Sequence, residues 1–280
     1  MHTNTPDPGI YPDVPAEVYH SWDAASASRL NKLFATTAKH VRNEMEHPTE
    51  PTPAMRFGSA CHTAILEPLH FAQEYTISEY EEFRSTEAKS WKAEMQKLGR
   101  QILTREKWAE VQAVALSARS HPAAKQLLDG RERTELSIVW DDLETGVRCK
   151  GRIDGVTRDP KNRELLSLLD LKTTADASPE GFASSIHKFG YHRQCAFYCN
   201  ALAAHGVSVT NANIIAVETS APFAVAVYEV RHDVLEIGRN EMRELLLDWR
   251  WFEKLGQWPG YSDEIQEIAL PDWAMRRSGL

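Results

Sequence analysis

The chain has 280 residues, 42% hydrophobic and 26% charged, with a formal net charge of -8. That composition is globular, can bury a substantial core, and suits a single domain over residues 1–280 better than two. The acidic balance excludes a uniformly basic surface that coats nucleic acid, so any such contact must come from a local basic cleft. Four cysteines, Cys61, Cys149, Cys195 and Cys199, form no CxxC pair and no zinc spacing, which leaves them structural and suits a reducing cytoplasm. With no basic-then-apolar leader and no long apolar run, a cytoplasmic protein without a membrane partner is expected.

Residues 1–20, rich in Pro, Asp, Thr and Gly as far as Pro15, read as an extended arm. Residues 21–130 read as mainly helical. Ser26 or Ser28 is placed to cap a helix whose apolar side is Leu30, Leu33 and Phe34, and Pro48, Pro51 and Pro53 interrupt it. Residues 55–66 form a helix pattern with Gly58, Ser59, Ala60 and a polar His62, ended by Pro68; a lone histidine there reads as a packed or capping residue. Residues 78–97 intersperse acids and bases and read as a solvated loop and helix. Residues 103–118 and 123–128 look helical on either side of His121-Pro122.

Residues 131–255 carry the strands. A strand over 135–140, a turn-rich stretch over 141–146 and a strand over 147–154 predict a hairpin. A third strand follows at 167–172, then a helix over 191–204. Residues 213–218 and 224–230 make a second hairpin around Ser220, Ala221 and Pro222, and Asp233 caps an amphipathic helix to about Leu255. A tail over 256–280 closes the chain. Hairpins force antiparallel pairs and the helix after Asp170 permits a parallel crossover, so the fold class is α/β with a mixed sheet.

Chemistry concentrates on Glu135, Asp154 and Asp170-Leu171-Lys172. Period-two alternation puts Asp170 and Lys172 on one strand face, and it puts Lys150, Arg152 and Asp154 opposite Val147, Cys149 and Ile153 on another strand. If the strands are neighbours, the acids converge, with Glu135 beside Asp154 at the far end of the hairpin. Carboxylates that hold a hard divalent cation, next to a fixed ammonium, suit hydrolysis of an anionic phosphodiester. An isolated Asp-x-Lys on a strand is common and mostly structural; the other two acids, in order, are what lift this one. Lys150, Arg152, Lys172 and Arg193 are the basic candidates near the acids.

Those elements, with Glu135, Asp154 and Asp170-x-Lys172, resemble the PD-(D/E)XK nuclease superfamily, here with an N-terminal helical elaboration. The stretch from Gly58 through His62 to Pro68 resembles the histidine helix of its RecB-like branch, and Gln194-Cys195-Ala196-Phe197-Tyr198 resembles that branch's glutamine and tyrosine helix, whose two polar side chains share a face. The RecE-type exonucleases (exodeoxyribonuclease VIII) are similar over almost the whole chain: Gly9-Ile10-Tyr11, Tyr19-His20, Leu66-Glu67-Pro68, the run from Asp170 through Lys172-Thr173-Thr174 to Asp176, and Leu270-Pro271-Asp272-Trp273-Ala274.

The resemblance implies a metal site of His62, Asp154 and Asp170 with the Leu171 carbonyl, which moves His62 from packing to ligation. It implies Lys172 as the catalytic lysine, Glu135 as an additional acid and Gln194 with Tyr198 as supporting contacts. DNA contacts are expected from Ser28, Arg29, Arg152, Thr173, Thr174 and Arg193. The implied cofactor is Mg²⁺, with Mn²⁺ substituting, and no iron-sulfur cluster, since the cysteines that would hold one have no counterpart. Ile153 stands where the motif has its initial proline, which is not a ligand. The implied activity is exonucleolytic degradation of the 5′-ended strand of linear double-stranded DNA, leaving a 3′ single strand for phage or prophage recombination. Implied partners are a single-strand annealing protein of RecT type and further copies of the chain in a ring of three or four. A RecB- or Cas4-like nuclease of other polarity, an endonuclease of the same fold and a non-catalytic DNA-binding module are the alternatives.

Overall fold

The computed structural model of the chain describes residues 4–271, so the Asp272-Trp273-Ala274 part of the C-terminal motif lies outside the described residues. The expected extended arm is instead folded. Gly9–Tyr11 (β1) pairs antiparallel with a later strand, Gly9 opposite Val139, and Ala16–Ser21 (α1) is helical. Tyr19 and Trp22 are buried with Val139 against partly buried Tyr11 and Val14. Those aromatic anchors outweigh the turn-forming composition around them.

The helical part begins with Ala27–Ala35 (α2) and Ala38–Glu46 (α3), two helices where the sequence reads as one. The Ser26 side chain accepts from the Arg29 amide and so caps α2. Pro53–Leu66 (α4) starts on a proline at its first turn and on the Thr52 side chain, which accepts from the Met55 amide. Pro68–Glu74 (α5) runs into Tyr75–Ile77 (β2), which pairs in parallel with Gln101–Leu103 (β3) on the far side of Thr86–Lys97 (α6). This two-stranded sheet brackets the charged stretch over 78–97, which holds the expected loop and helix. Arg105–Ser120 (α7) and Pro122–Asp129 (α8) complete this part.

Arg131–Asp141 (β4) and Arg148–Arg158 (β5) form the expected hairpin, its turn held by Asp142 Oδ1, which accepts from the Thr145 amide and hydroxyl. Leu166–Thr174 (β6) follows, then Pro179–Phe189 (α9), a helix the sequence reading lacks, and Tyr191–Ala204 (α10). Gly190, at φ +68°, turns the chain between the two helices. Ala212–Glu218 (β7), Val225–Val230 (β8) and His232–Leu255 (α11) end the fold. Arg231, not Asp233, is the N-cap of α11; Asp233 lies inside the first turn, where its charge favours the helix dipole.

The six-stranded sheet runs β1-β4-β5-β6-β7-β8. Only β6 and β7 are parallel, joined by the α9–α10 crossover, and the other neighbours are antiparallel. Side chains of α2, α3, α10 and α11 form one core with Leu168 of β6, while α4, α5, α7 and α8 form a second with Leu169 and Leu171. Alternation along β6 thus sends Asp170 and Lys172 to the side that also holds α10. All four cysteines are buried and free. Among the described residues, no helix is long and apolar enough to cross a membrane.

Candidate active site

The β5–β6 ladder ends at the Gly155–Leu169 pair, and the next residues on the two strands are Asp154 and Asp170. There the Leu171 amide, freed from the ladder, donates instead to Asp154 Oδ2 at 2.6 Å. Splaying of the two strands therefore sets two carboxylates side by side while giving the Leu171 amide a partner. On the other side of β5, Glu135 stands between the Thr134–Gly155 and Leu136–Ile153 pairs, across from Asp154. Its φ is +49°, a left-handed value that a non-glycine residue in a strand adopts at a cost of order 1–3 kcal/mol, and such strain concentrates at functional sites.

From α4, His62 Nδ1 reaches to 3.8 Å of Asp154 Oδ2. His62, Glu135 and Asp154 each offer a ligand atom, all within 4.8 Å of one another. Asp170, 1% exposed, pairs with Lys172: Nζ lies 2.9 Å from Oδ1 and 2.7 Å from Oδ2. The Lys172 ammonium also sits 5.0 Å from the centroid of the Tyr191 ring at the start of α10. One helical turn on, Gln194 Nε2 donates to the Tyr198 hydroxyl at 3.1 Å. Tyr198 can lie flat on β5 because residue 151 is glycine; a Cβ there would meet its ring at 3.1 Å.

Electrostatics describe a site short of positive charge. Burial, reinforced by Asp154, raises the Glu135 carboxyl to about 7 in spite of Arg152, whose Nε donates to Glu135 Oε2 at 2.8 Å. Burial likewise raises Asp154, against Lys172 and the Leu171 amide, and raises Asp170 to about 6 against Lys172. Burial and then the Lys172 charge pull His62 down to about 4, opposed by Asp170 and a hydrogen bond to the Leu171 backbone. Burial also works against the Lys172 ammonium, yet Asp170 and Asp154 more than offset it and its pKa is raised. A neutral imidazole and three crowded carboxyls are the donor set that a hard divalent cation would favour. Asp170 Oδ2 is buried with the Lys172 ammonium, 2.7 Å away, as its partner, and a carboxylate oxygen so placed can still accept a second contact.

Of the other expected site residues, Thr173 touches α4, its Oγ1 3.3 Å from where a Cβ of Gly58 would be, and Thr174 Oγ1 donates to the Asp176 carbonyl at 3.0 Å. Ser28 is exposed on α2, and Arg29 Nη1 donates to the Ala24 carbonyl at 2.6 Å. Arg193 is a correction. It is 2% exposed, ion-paired to Glu241 at 2.8 Å, bonded to Asn31 Oδ1 at 2.6 Å and stacked on Phe34, so it ties α10 to α2 and α11 and cannot meet DNA. Lys150 is buried too, donating to the Tyr19, His20 and Trp22 carbonyls. Lys150 shares β5 with Asp154 and Arg193 lies on the helix after β6, but the N-terminal segment covers the first and α2 and α11 the second. Tyr191 was not anticipated; its signal is an aromatic directly after the Gly190 turn.

Over residues 26–271 the chain matches the family model described as a PDDEXK-like domain of unknown function (DUF3799). Among solved structures, the crystal structure of a putative exonuclease from Eubacterium rectale is similar at TM-score 0.60 and 14% identity, covering 94% of this chain and 98% of that chain; the likeness is one of fold. The crystal structure of SSO0001 overlaps at TM-score 0.33 and 12% identity, covering 79% of this chain and 75% of that one, which is too loose to argue from. No curated protein matches the chain.

Proposed function

Because the chain belongs to the PDDEXK-like domain family, we propose that it is a divalent-metal-dependent exodeoxyribonuclease acting on linear double-stranded DNA. The observation that carries this reading is the convergence of His62, Glu135 and Asp154 within 4.8 Å, beside the Asp170–Lys172 pair where β5 and β6 part. His62, Glu135 and Asp154, with Asp170 and the Leu171 backbone adjoining, would hold Mg²⁺ or Mn²⁺, which supplies positive charge to the phosphoryl oxygens and lowers the pKa of water. Asp170 fixes the Lys172 ammonium, whose raised pKa keeps it a proton-bearing donor that stabilises negative charge growing on the phosphorus oxygens. Arg152 neutralises part of the Glu135 charge and orients that carboxylate. The Gln194–Tyr198 pair satisfies its own polar atoms on the helix behind Lys172.

The finer reading follows the RecE-type resemblance. It is degradation of the 5′-ended strand to leave a 3′ single strand, in the service of strand-annealing recombination with a RecT-type protein, by a ring of three or four copies. The test is digestion of linear duplex labelled at the 5′ or the 3′ end, beside covalently closed DNA, with Mg²⁺ and with excess chelator. Early release of 5′ label from linear DNA alone, abolished by chelator, is the expected result. Early loss of 3′ label would reverse the polarity, cutting of closed circles would replace the exonuclease by an endonuclease, and full activity in chelator would remove the metal mechanism.

A further inference from the structure

A cleft of about 790 Å³ opens between the N-terminal end of α4 and the α6–β3–α7 segment. Its walls carry Arg56, Lys92, Arg100 and Lys107 against one acid, Glu110, in a chain whose net charge is -8. Many surface cations elsewhere are paired, such as Arg42 with Glu46, Arg158 with Glu132, Lys161 with Glu229 and Arg243 with Glu144, and among the described residues those without a carboxylate partner are scattered and are not gathered in a concavity. In the cleft, Lys107 pairs with Glu110 at 2.6 Å and Lys92 sits 5.0 Å from the Phe83 ring centroid. Among the described residues, Arg56 and Arg100 have no carboxylate partner. A solvated face would be the ordinary reading of scattered lysines, but a concave wall with unpaired guanidinium groups focuses positive potential and suits an anion.

The cleft's place in the fold connects it to the cleavage site. Thr219, in its wall, follows β7, and its amide donates to the Thr174 carbonyl at the end of β6 at 3.0 Å. Thr174 continues the strand face of Asp170 and Lys172. The helix that supplies Arg56 and Phe57 to the cleft supplies His62 to the acids, roughly 9 Å further along its axis at 1.5 Å per residue. Ligands of open α/β sheets gather beyond the carboxyl ends of the strands, and this cleft lies there.

We propose that the Arg56–Arg100 cleft binds the phosphodiester backbone of a single-stranded polynucleotide adjoining the cleavage site. Resting on the nuclease reading above, the assignment adds a second contact for one strand of the substrate. The volume lies within the range of about 300–1,000 Å³ of pockets that enclose small ligands, room for a few nucleotides and not for a double helix. Phe57, in the wall, is partly buried with the Lys107 ammonium 5.2 Å from its ring centroid, so it sets an aromatic beside a cation, the combination that single-strand grooves use.

Binding of a fluorescein-labelled oligothymidylate of twenty nucleotides, followed by anisotropy in chelator over a series of salt concentrations, tests this without turnover. The full chain should bind, and R56E with R100E should weaken binding tenfold or more at low salt. The double variant should also flatten the slope of log affinity against log salt by about 1.4, because each single-strand phosphate contact contributes roughly 0.7. Unchanged thermal melting will show that both proteins are folded. Unchanged affinity and slope, no binding by the unaltered protein, or displacement of the oligonucleotide by polyglutamate at equal charge would overturn the proposal, the last in favour of an acidic protein partner. The two readings separate cleanly: a protein that cuts no DNA but loses binding in the double variant keeps the cleft and loses the nuclease, and a cutting protein indifferent to the variant does the reverse.

Discussion

Lys172 owes its charge to its neighbours: a buried amine alone would shed its proton, and Asp170 and Asp154 keep it on. Removing either partner of the pair should therefore disable the site without unfolding the sheet, because β6 still has hydrogen-bonded neighbours on both sides. Asp170→Ala and Lys172→Ala should each lower DNA hydrolysis by on the order of a hundredfold or more with an unaltered far-UV circular dichroism spectrum; near-native turnover by either purified variant would reject their assigned roles. The Asp-x-Lys pair and Asp154 were legible because a strand's two-residue period is local. The strained backbone of Glu135, the ring of Tyr191 under Lys172 and the burial of Arg193 were not, since each depends on what a distant segment brings. Arg193 had the right charge and the right helix for a DNA contact, and only the arrival of Glu241 from α11 changes its meaning.

At the level of elements, strong repeating patterns were readable and short ones were not. The β4–β5 hairpin, β6, α10 and α11 carry their own periodicity, whereas three-residue β1, β2 and β3 exist only through a partner strand and leave little trace in sequence. The connections are held by side chains as much as by backbone. Asp159, 4% exposed, accepts from the Lys161 and Asn162 amides through Oδ1 and from Ser167, Thr210 and Asn211 through Oδ2, binding the β5–β6 turn to the start of β7. Burial pushes this carboxyl up, but those donors outweigh it and its pKa is lowered. A depressed acid binds fewer protons folded than unfolded, so its stabilisation is complete above the unfolded value, about 4, and is lost as the pH falls below that. Asp159→Ala should cost about 3 kcal/mol near neutrality, since several donors lose a charged acceptor. Urea titrations from pH 3 to 7 should show the wild-type protein losing stability at the acid end and the variant losing less; parallel pH curves would refute the linkage.

For the molecule as a whole, net charge poses a problem that the fold must meet. At -8 the chain has little long-range attraction for duplex DNA, so on the proposed exonuclease reading an open monomer would part from the duplex between cleavage cycles. Closed head-to-tail assembly around the duplex would answer this, and on that proposal light scattering on the purified protein should give three or four times the mass of one chain. A stable monomer at micromolar concentration would discard the ring. If rings form, excess unlabelled duplex added after loading should leave degradation of bound DNA largely unaffected, and immediate arrest would show that encirclement does not hold the substrate.

The grip of Lys150 on the carbonyls of Tyr19, His20 and Trp22 sets where this protein can be cut. Lys150 lies on the strand that carries Asp154, and its partners all precede residue 26, where the family likeness begins. A version trimmed to residue 26 would keep every proposed ligand yet take away the three carbonyls that hold Lys150 and uncover the apolar face of Val139 that Tyr19 and Trp22 bury, a loss on the order of 3–5 kcal/mol, the scale of deleting one large buried aromatic side chain. Thermal melting of the trimmed protein should fall well below that of the full-length protein, and an unchanged melting point would show the segment to be dispensable. The folding unit is therefore longer than the stretch the family model matches, and residues 4–25 act as a plug whose removal would be felt at Asp154, four positions along the strand from Lys150.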